Sequence, residues 1–205
     1  MTGPKEKRER ALGMHLGLKG DRSMSPKSAL VRKPYKPGVH GPNGRIRALS
    51  EFGLQLREKS KFKLTYGVDE TNLKRLYGLA QKAKGSTGAK LLELLERRLD
   101  NVVYRLGFTP SRLAARQLVL HGHLAVNGRK VTSPGYSVRK DDVIAVRGTS
   151  AAKKHITGRK EAMKQYDVPA WLALTPDKME GRVLGAPSDL NPPFEISLLV
   201  ESFSK

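Results

Sequence analysis

The sequence predicts an α+β chain led by an extended basic segment, and three features of its texture predict it. Residues 1–44 hold twelve Gly or Pro and no helical apolar stripe. From Gly44 onward apolar residues recur at helical spacing, and past Ser111 short apolar runs alternate with turn signals. With 205 residues there is chain enough for one large or two small domains, each with a modest core.

The first segment, 1–44, ends in Lys33-Pro-Tyr-Lys-Pro-Gly-Val-His-Gly-Pro42, where the prolines fix φ and forbid regular pairing. It reads as an extended basic arm that a polyanion would order, although composition alone fits a solvated tail as well. Next, Ile46, Leu49, Phe52 and Leu56 form an apolar stripe, with Arg57, Lys59, Lys61 and Lys63 around the far side, predicting a helix to about Leu64. Asp69 caps a second helix whose stripe is Leu73, Leu76, Tyr77 and Ala80 and which ends by Gly85. A third and longest helix follows Thr87, with Leu91, Leu92, Leu95, Leu99, Val102 and Val103 on one face and Gly107 as its stop. Residues 45–93 are therefore expected to be mainly helical.

From about Glu93 to Arg159 helices lead into strands. Ser111 caps a short helix running to about His121 and closed by Gly122. In His123-Leu-Ala-Val-Asn-Gly-Arg-Lys-Val131, the Asn127-Gly128 pair is a strong hairpin signal because both residues tolerate positive φ. Tyr136–Val138 and Val143–Arg147 read as further strands, separated by the turn pair Asp141-Asp142. A small curved antiparallel sheet backed by helices is expected.

Charge narrows the function classes. The 39 Lys and Arg against 19 Asp and Glu give a formal charge of +20, which points to a polyanionic partner. A membrane is the poorer candidate: no apolar run approaches the ~18 residues of a spanning helix, and Met1–Arg10 is charged rather than signal-like. The chain has no cysteine, which excludes disulfides and thiolate metal ligands, and nothing argues for export; the cytoplasm or an organelle matrix is expected. The excess is uneven: residues 1–50 carry a net +9 and 101–150 a net +6, whereas 161–205 have four basic against seven acidic residues. The first two stretches are the expected RNA-facing surfaces, and the tail is expected on protein.

On the helix after Ser111, Arg112 and Arg116 lie one turn apart while Ala114 and Leu118 face the other way, so two guanidiniums sit beside the hairpin cations Arg129 and Lys130. Almost no acidic residue accompanies them in sequence. Lys33, Tyr35, Lys36, His40, Arg45 and Arg47 are further candidate RNA contacts from the arm, where charge and an aromatic ring occur together. Gly85-Ser-Thr-Gly-Ala-Lys90 lacks the spacing and the Lys-Ser/Thr pair of a nucleotide loop and reads as a helix cap. Of the histidines His15, His40, His121, His123 and His155, only His121 and His123 are close, and across a helix end they are expected to point apart, giving no metal site. No Asp/Glu pair lies in an apolar setting and no serine has nucleophile-elbow glycines, so no catalytic site, cofactor or small-molecule substrate is expected. Trp171 reads as a packing anchor.

Arg98-Leu-Asp-Asn-Val-Val-Tyr-Arg-Leu-Gly-Phe108, Ser111-Arg-Leu-Ala-Ala-Arg-Gln-Leu-Val119 and Val126-Asn-Gly-Arg129 together resemble the small RNA-binding module named after small-subunit ribosomal protein four. That module also occurs in pseudouridine synthases, a tyrosyl-tRNA synthetase class and heat-shock RNA binders. The flanks Lys33–Gly41, Leu49–Lys59, Tyr66-Gly67, Pro169–Leu172 and Lys178–Gly181 resemble the ribosomal protein family itself, so the resemblance runs from about Thr2 to Lys205. It implies three parts: an arm at 1–44, a mainly helical domain from 45–93 plus 160–205, and the RNA-binding module at 94–159 inserted into it. It further implies binding to 16S rRNA at a junction in the 5′ domain, nucleation of small-subunit assembly, contact with small-subunit proteins five and three, a place at the mRNA entrance channel and an influence on decoding accuracy.

One departure stands out. Many members of the family open with two cysteine pairs that form a zinc knuckle, and the alignable positions here are Glu6, Glu9, Ser23 and Ser28. Two carboxylates and two hydroxyls are not a structural zinc set; the arm is expected to be held by rRNA phosphates, with Glu6 and Glu9 pairing to nearby cations. An RNA-modifying enzyme carrying the same module would need a catalytic domain, and with residues 1–93 and 160–205 accounted for by the resemblance too little chain remains for one. A stand-alone stress RNA binder would not need the two flanks.

Overall fold

The computed structural model describes residues 3–44, 48–148, 156, 158–188, 190, 192 and 194–204, and it divides into two compact units. The first comprises residues 1–91 with 191–205, and the second comprises 92–190.

In the first unit, the segment expected as an extended arm contains three short helices: α1 (Lys5–Leu12), α2 (Asp21–Met24) and α3 (Ala29–Arg32). Leu12, Leu16 and Leu18 are buried in this part of the arm, and residues 33–44 run through bends and turns with no helix or strand. Helix α4 (Glu51–Tyr66) is capped by Ser50, whose Oγ accepts the Gly53 N–H, and α5 (Glu70–Lys82) by Asp69, which accepts from Asn72 N–H. Leu73, Leu76 and Ala80 are buried on α5, as the spacing predicts.

The stripe read on α4 is reversed. Phe52 is 67% and Leu56 53% exposed, Leu49 and Leu54 are also exposed, and the buried residues are Gln55, Glu58, Phe62, Thr65 and Tyr66. Ile46 lies outside the described residues. The cause is a distant partner, the C-terminal helix (Ile196–Ser204), which packs on the other face. There Phe62 meets Phe194 at 4.2 Å between ring centroids. Gln55 donates to Glu201, and Glu58 accepts the Glu195 N–H while pairing with Lys61, so these two buried side chains have partners.

The second unit begins within α6 (Thr87–Glu96). Where a single long helix is expected, the chain breaks at Arg98 in extended conformation and resumes as α7 (Leu99–Arg105). Tertiary pairing wins over helix propensity: Leu99 N–H donates to Tyr136 O at 2.8 Å and Val138 N–H to Arg97 O at 2.9 Å. This pairing is also why Tyr136–Val138 makes only an isolated bridge, Arg98 with Ser137, and not a strand. The leucines and valines of the predicted stripe are buried all the same.

After α8 (Arg112–Leu120) come β1 (Leu124–Val126), β2 (Arg129–Val131), β3 (Val143–Val146), α9 (Lys160–Lys164), β4 (Leu172–Thr175) and β5 (Glu180–Val183); the C-terminal helix of the first unit is α10. Asn127 and Gly128 both take positive φ, +50° and +77°, closing the β1–β2 hairpin with Val126 opposite Arg129. The sheet is antiparallel throughout in the order β2-β1-β3-β5-β4, leaving β2 and β4 as its edges. Strand β5 pairs with β3, Val143 opposite Arg182, and Trp171, Leu172 and Val183 enter the same core as Leu99, Val103 and Ile144. The structure therefore groups residues 160–190 with the RNA-binding module, where the sequence placed them with the helical domain; only 191–205 return to the first unit.

Candidate nucleic-acid interface

Helix α8 exists because Ser111 accepts the Ala114 N–H at its start and because Ala115, Leu118 and Val119 bury one face. The opposite face carries Arg112 and Arg116, and the structure supplies what the local sequence lacks: two buried carboxylates from the preceding helices. Glu96 is 1% exposed and takes Arg105 by two hydrogen bonds of 3.0 Å, with Arg112 Nη2 at 4.0 Å. Asn101 donates to Glu96 at 2.6 Å and accepts from Arg112 Nε at 2.6 Å. The Arg112 guanidinium also lies 4.5 Å over the Tyr104 ring. Asp100 takes a bidentate pair from Arg98 and has Arg116 Nη1 at 3.6 Å.

The two carboxylates differ in electrostatics. At Glu96 burial pushes the pKa up, but the hydrogen bond and charge of Arg105, the charge of Arg112 and the Asn101 hydrogen bond outweigh it, and the net direction is down. At Asp100 burial dominates over Arg98 and Arg116, and the net direction is up. These buried acids, ringed by arginines, were not legible in the sequence, because Glu96 and Asp100 sit on separate helices and meet α8 only in the fold. Their effect on the arginines is unequal. The Arg112 side chain is 17% exposed and held by Asn101, Glu96 and the Tyr104 ring, whereas that of Arg116 is 39% exposed, with Asp100 at 3.6 Å.

Arg129 and Lys130 are both exposed on edge strand β2. Neighbouring side chains on a strand point to opposite faces, so the two do not act as a paired fork. In the first unit, Arg10 gathers the backbone: its Nε donates to Lys33 O at 3.0 Å and Tyr35 O at 3.2 Å, its Nη2 to Tyr35 O at 3.0 Å, and its guanidinium lies 4.9 Å from the Tyr35 ring centre. Lys33, Lys36 and His40 remain exposed around this fastening. Arg10, Tyr35, Lys36, His40 and Arg57 line one open pocket. Arg45 and Arg47 lie outside the described residues. Arg10 and Arg57 escaped sequence reading, since an arginine that binds distant carbonyls leaves no local signature.

Comparison with known proteins decides the lineage. The family profile described as "Ribosomal protein S4/S9 N-terminal domain" matches residues 1–96, and that described as "S4 domain" matches 97–144. Proteins named "Small ribosomal subunit protein uS4" are similar over nearly their whole length: from a Thermoanaerobacter species at 47% identity, covering 100% of this chain and 98% of the relative, and from Gloeobacter violaceus with the same figures. That from Thermus thermophilus is 48% identical, covering 94% and 93%. The chain belongs to the uS4 family.

Many uS4 chains carry the zinc knuckle noted above, and the four positions here do not fit one. Glu9 is buried and its Oε1 accepts the Leu16 and Leu18 N–H groups, both at 3.1 Å. Ser23 Oγ accepts the Lys19 N–H at 3.1 Å. Glu6 pairs with Lys19 and Arg22, as expected, while Glu9 binds amides instead of cations. The oxygens left over, Glu9 Oε2 and Ser28 Oγ, are hard donors and too few for a four-coordinate structural zinc. Among the described residues no group of three or more His, Cys, Asp or Glu could hold a metal ion, and no helix is long and apolar enough to cross a membrane. In this uS4 chain a carboxylate closes the knuckle.

Proposed function

We propose that this chain is a structural constituent of the small ribosomal subunit, without catalytic activity, that binds 16S rRNA at a 5′-domain junction and nucleates assembly of the subunit body. The cytoplasmic ribosome is its expected place. The observation that carries the reading is the α8 face: arginines fixed by buried Glu96, Asp100 and Asn101 in the module that the S4 domain profile matches. Such a surface suits RNA, whose deep A-form groove denies side chains a base-edge reading and leaves shape and phosphate geometry to be recognised. Arg116, Arg129, Lys130, Lys33, Lys36 and His40 would meet phosphates, with Tyr35 available for stacking and Arg45 and Arg47 as further contacts. Arg112 acts mainly by bracing. rRNA phosphates would hold the 33–44 segment, which has no regular structure of its own.

The same reading places small-subunit proteins five and three as neighbours and mRNA at the entrance channel, with an influence on decoding accuracy. The exposed row Leu49, Phe52 and Leu56 supports a protein neighbour, because large apolar groups clustered on one helix mark interaction surfaces more often than RNA contacts.

The test is binding of the purified protein to a 5′-domain rRNA fragment and to an equally long unrelated structured RNA across a salt series. Preference for the fragment at high salt, lost in Arg116→Ala, supports the proposal. Equal binding to both RNAs with one steep salt slope reduces the chain to a generic basic RNA binder.

A further inference from the structure

His121 and His123 belong to none of the contacts above. Expected to point apart, they are brought together: their ring centroids are 5.9 Å apart with a 36° tilt. The cause lies between them. Gly122 has φ +68°, a left-handed turn that ends α8 and swings the next residue back toward the helix. The far end of the Lys130 side chain lies against this glycine: a Cβ at Gly122 would meet Lys130 Cε and stand 3.1 Å from Lys130 Nζ. The Lys130 side chain therefore lies across the bare α-carbon of the residue that separates the two imidazoles.

Arg147 fastens the turn from β3. Its N–H donates to His123 O at 2.8 Å and its Nη1 to Gly122 O at 3.1 Å. These bonds occupy carbonyls at the helix C-terminus that would otherwise repel an anion. The side chains shown against the turn are Lys130, Thr132 and Arg147, and none is acidic. A metal ion is disfavoured, since two imidazoles lack a third ligand and an ammonium stands beside them.

We propose that the His121–Gly122–His123 turn with Lys130 is a phosphate site for an RNA backbone. Lys130 supplies a fixed charge over Gly122, and the two imidazole N–H groups supply directed donors. The inference rests on the RNA-binding reading above and adds residues that it does not contain.

The experiment compares the full-length wild type with His121→Gln/His123→Gln on the 5′-domain fragment and on the unrelated RNA, over a salt series, with the melting midpoint of each protein measured alongside. The expected result is an affinity lower by about threefold to tenfold with an unchanged salt slope, because the imidazoles act as donors and not as charges, and an unchanged midpoint, whereas loss of the Lys130 charge makes the slope shallower by about one. Lys130→Gln, on the exposed edge strand, reads the same site independently and is expected to move affinity the same way. Unchanged affinity in His121→Gln/His123→Gln overturns the phosphate site, whatever Lys130→Gln does, while a wild-type preference for the fragment leaves the ribosomal reading standing. If the wild type shows no preference but the variants weaken binding to both RNAs, the phosphate site stands and the specific rRNA reading fails.

Discussion

The two basic faces hold their cations by opposite means. On α8 the arginines are anchored by buried acids, Glu96 and Asp100, so positive charge is partly cancelled in exchange for fixed geometry. In the N-terminal segment Arg10 is anchored by uncharged carbonyls, and Lys33 and Lys36 stand exposed with His40 on a stretch with no helix or strand. The difference teaches that rigid and strongly charged surfaces are separate devices. The first should discriminate between RNA shapes; the second should raise affinity for any RNA and fade with salt.

The hardest blow to that contrast is Glu96→Ala. It removes two hydrogen bonds from Arg105, one from Asn101 and the nearby carboxylate of Arg112, and a loss of about 3–5 kcal/mol in unfolding free energy is expected from denaturant titration, with Tyr104 environment changes following the same curve. Arg116→Ala comes next. It should cost about tenfold, or about 1.4 kcal/mol, on the 5′-domain fragment and much less on the unrelated RNA, with the melting midpoint unmoved. Lys36→Ala should weaken both RNAs alike by about threefold and reduce the salt slope by about one; a selective loss there would erase the distinction between the two faces.

Acid titration sharpens the comparison further. Glu96 has a lowered pKa in the fold, so its contribution is present above its unfolded pKa and is lost as pH falls through the folded one. Asp100, raised, works the other way, and its preference for the protonated form offsets part of that loss. Glu96→Gln should therefore lose less stability on acidification than wild type, measured as the change in melting midpoint from pH 7 into the carboxylate range. The smallest effect is expected from a chelator: with Glu9 closing the knuckle, melting should not change, and a stoichiometric metal in the purified protein would refute that account.

What the sequence made legible is what neighbours in the chain decide. The α5 stripe, a helix ending near Leu64, the Asn127-Gly128 hairpin and the buried Trp171 all follow from periodicity or turn chemistry within a few residues. The face that α4 buries does not, because α10 comes from the other end of the chain and accepts Gln55 and Glu58 where a leucine stripe was expected. Strands β4 and β5 were missed for the same reason: β5 finds its partner β3 across a segment with little pattern, and β4 pairs only with β5. At the site, Arg112 and Arg116 were visible from spacing. Their bracing by Glu96, Asp100 and Asn101 was not, since a pair formed across three helices has no sequence period.

Strand β2 has a consequence that concerns the protein before it meets any RNA. A free sheet edge is a template on which another chain can add a strand, and β2 is such an edge. Arg129 and Lys130 occupy two of its three positions and are both exposed, so two copies approaching edge to edge would bring like charges together. The hairpin thus guards the newly made chain against aggregation during the interval when its highly charged surfaces are still uncovered.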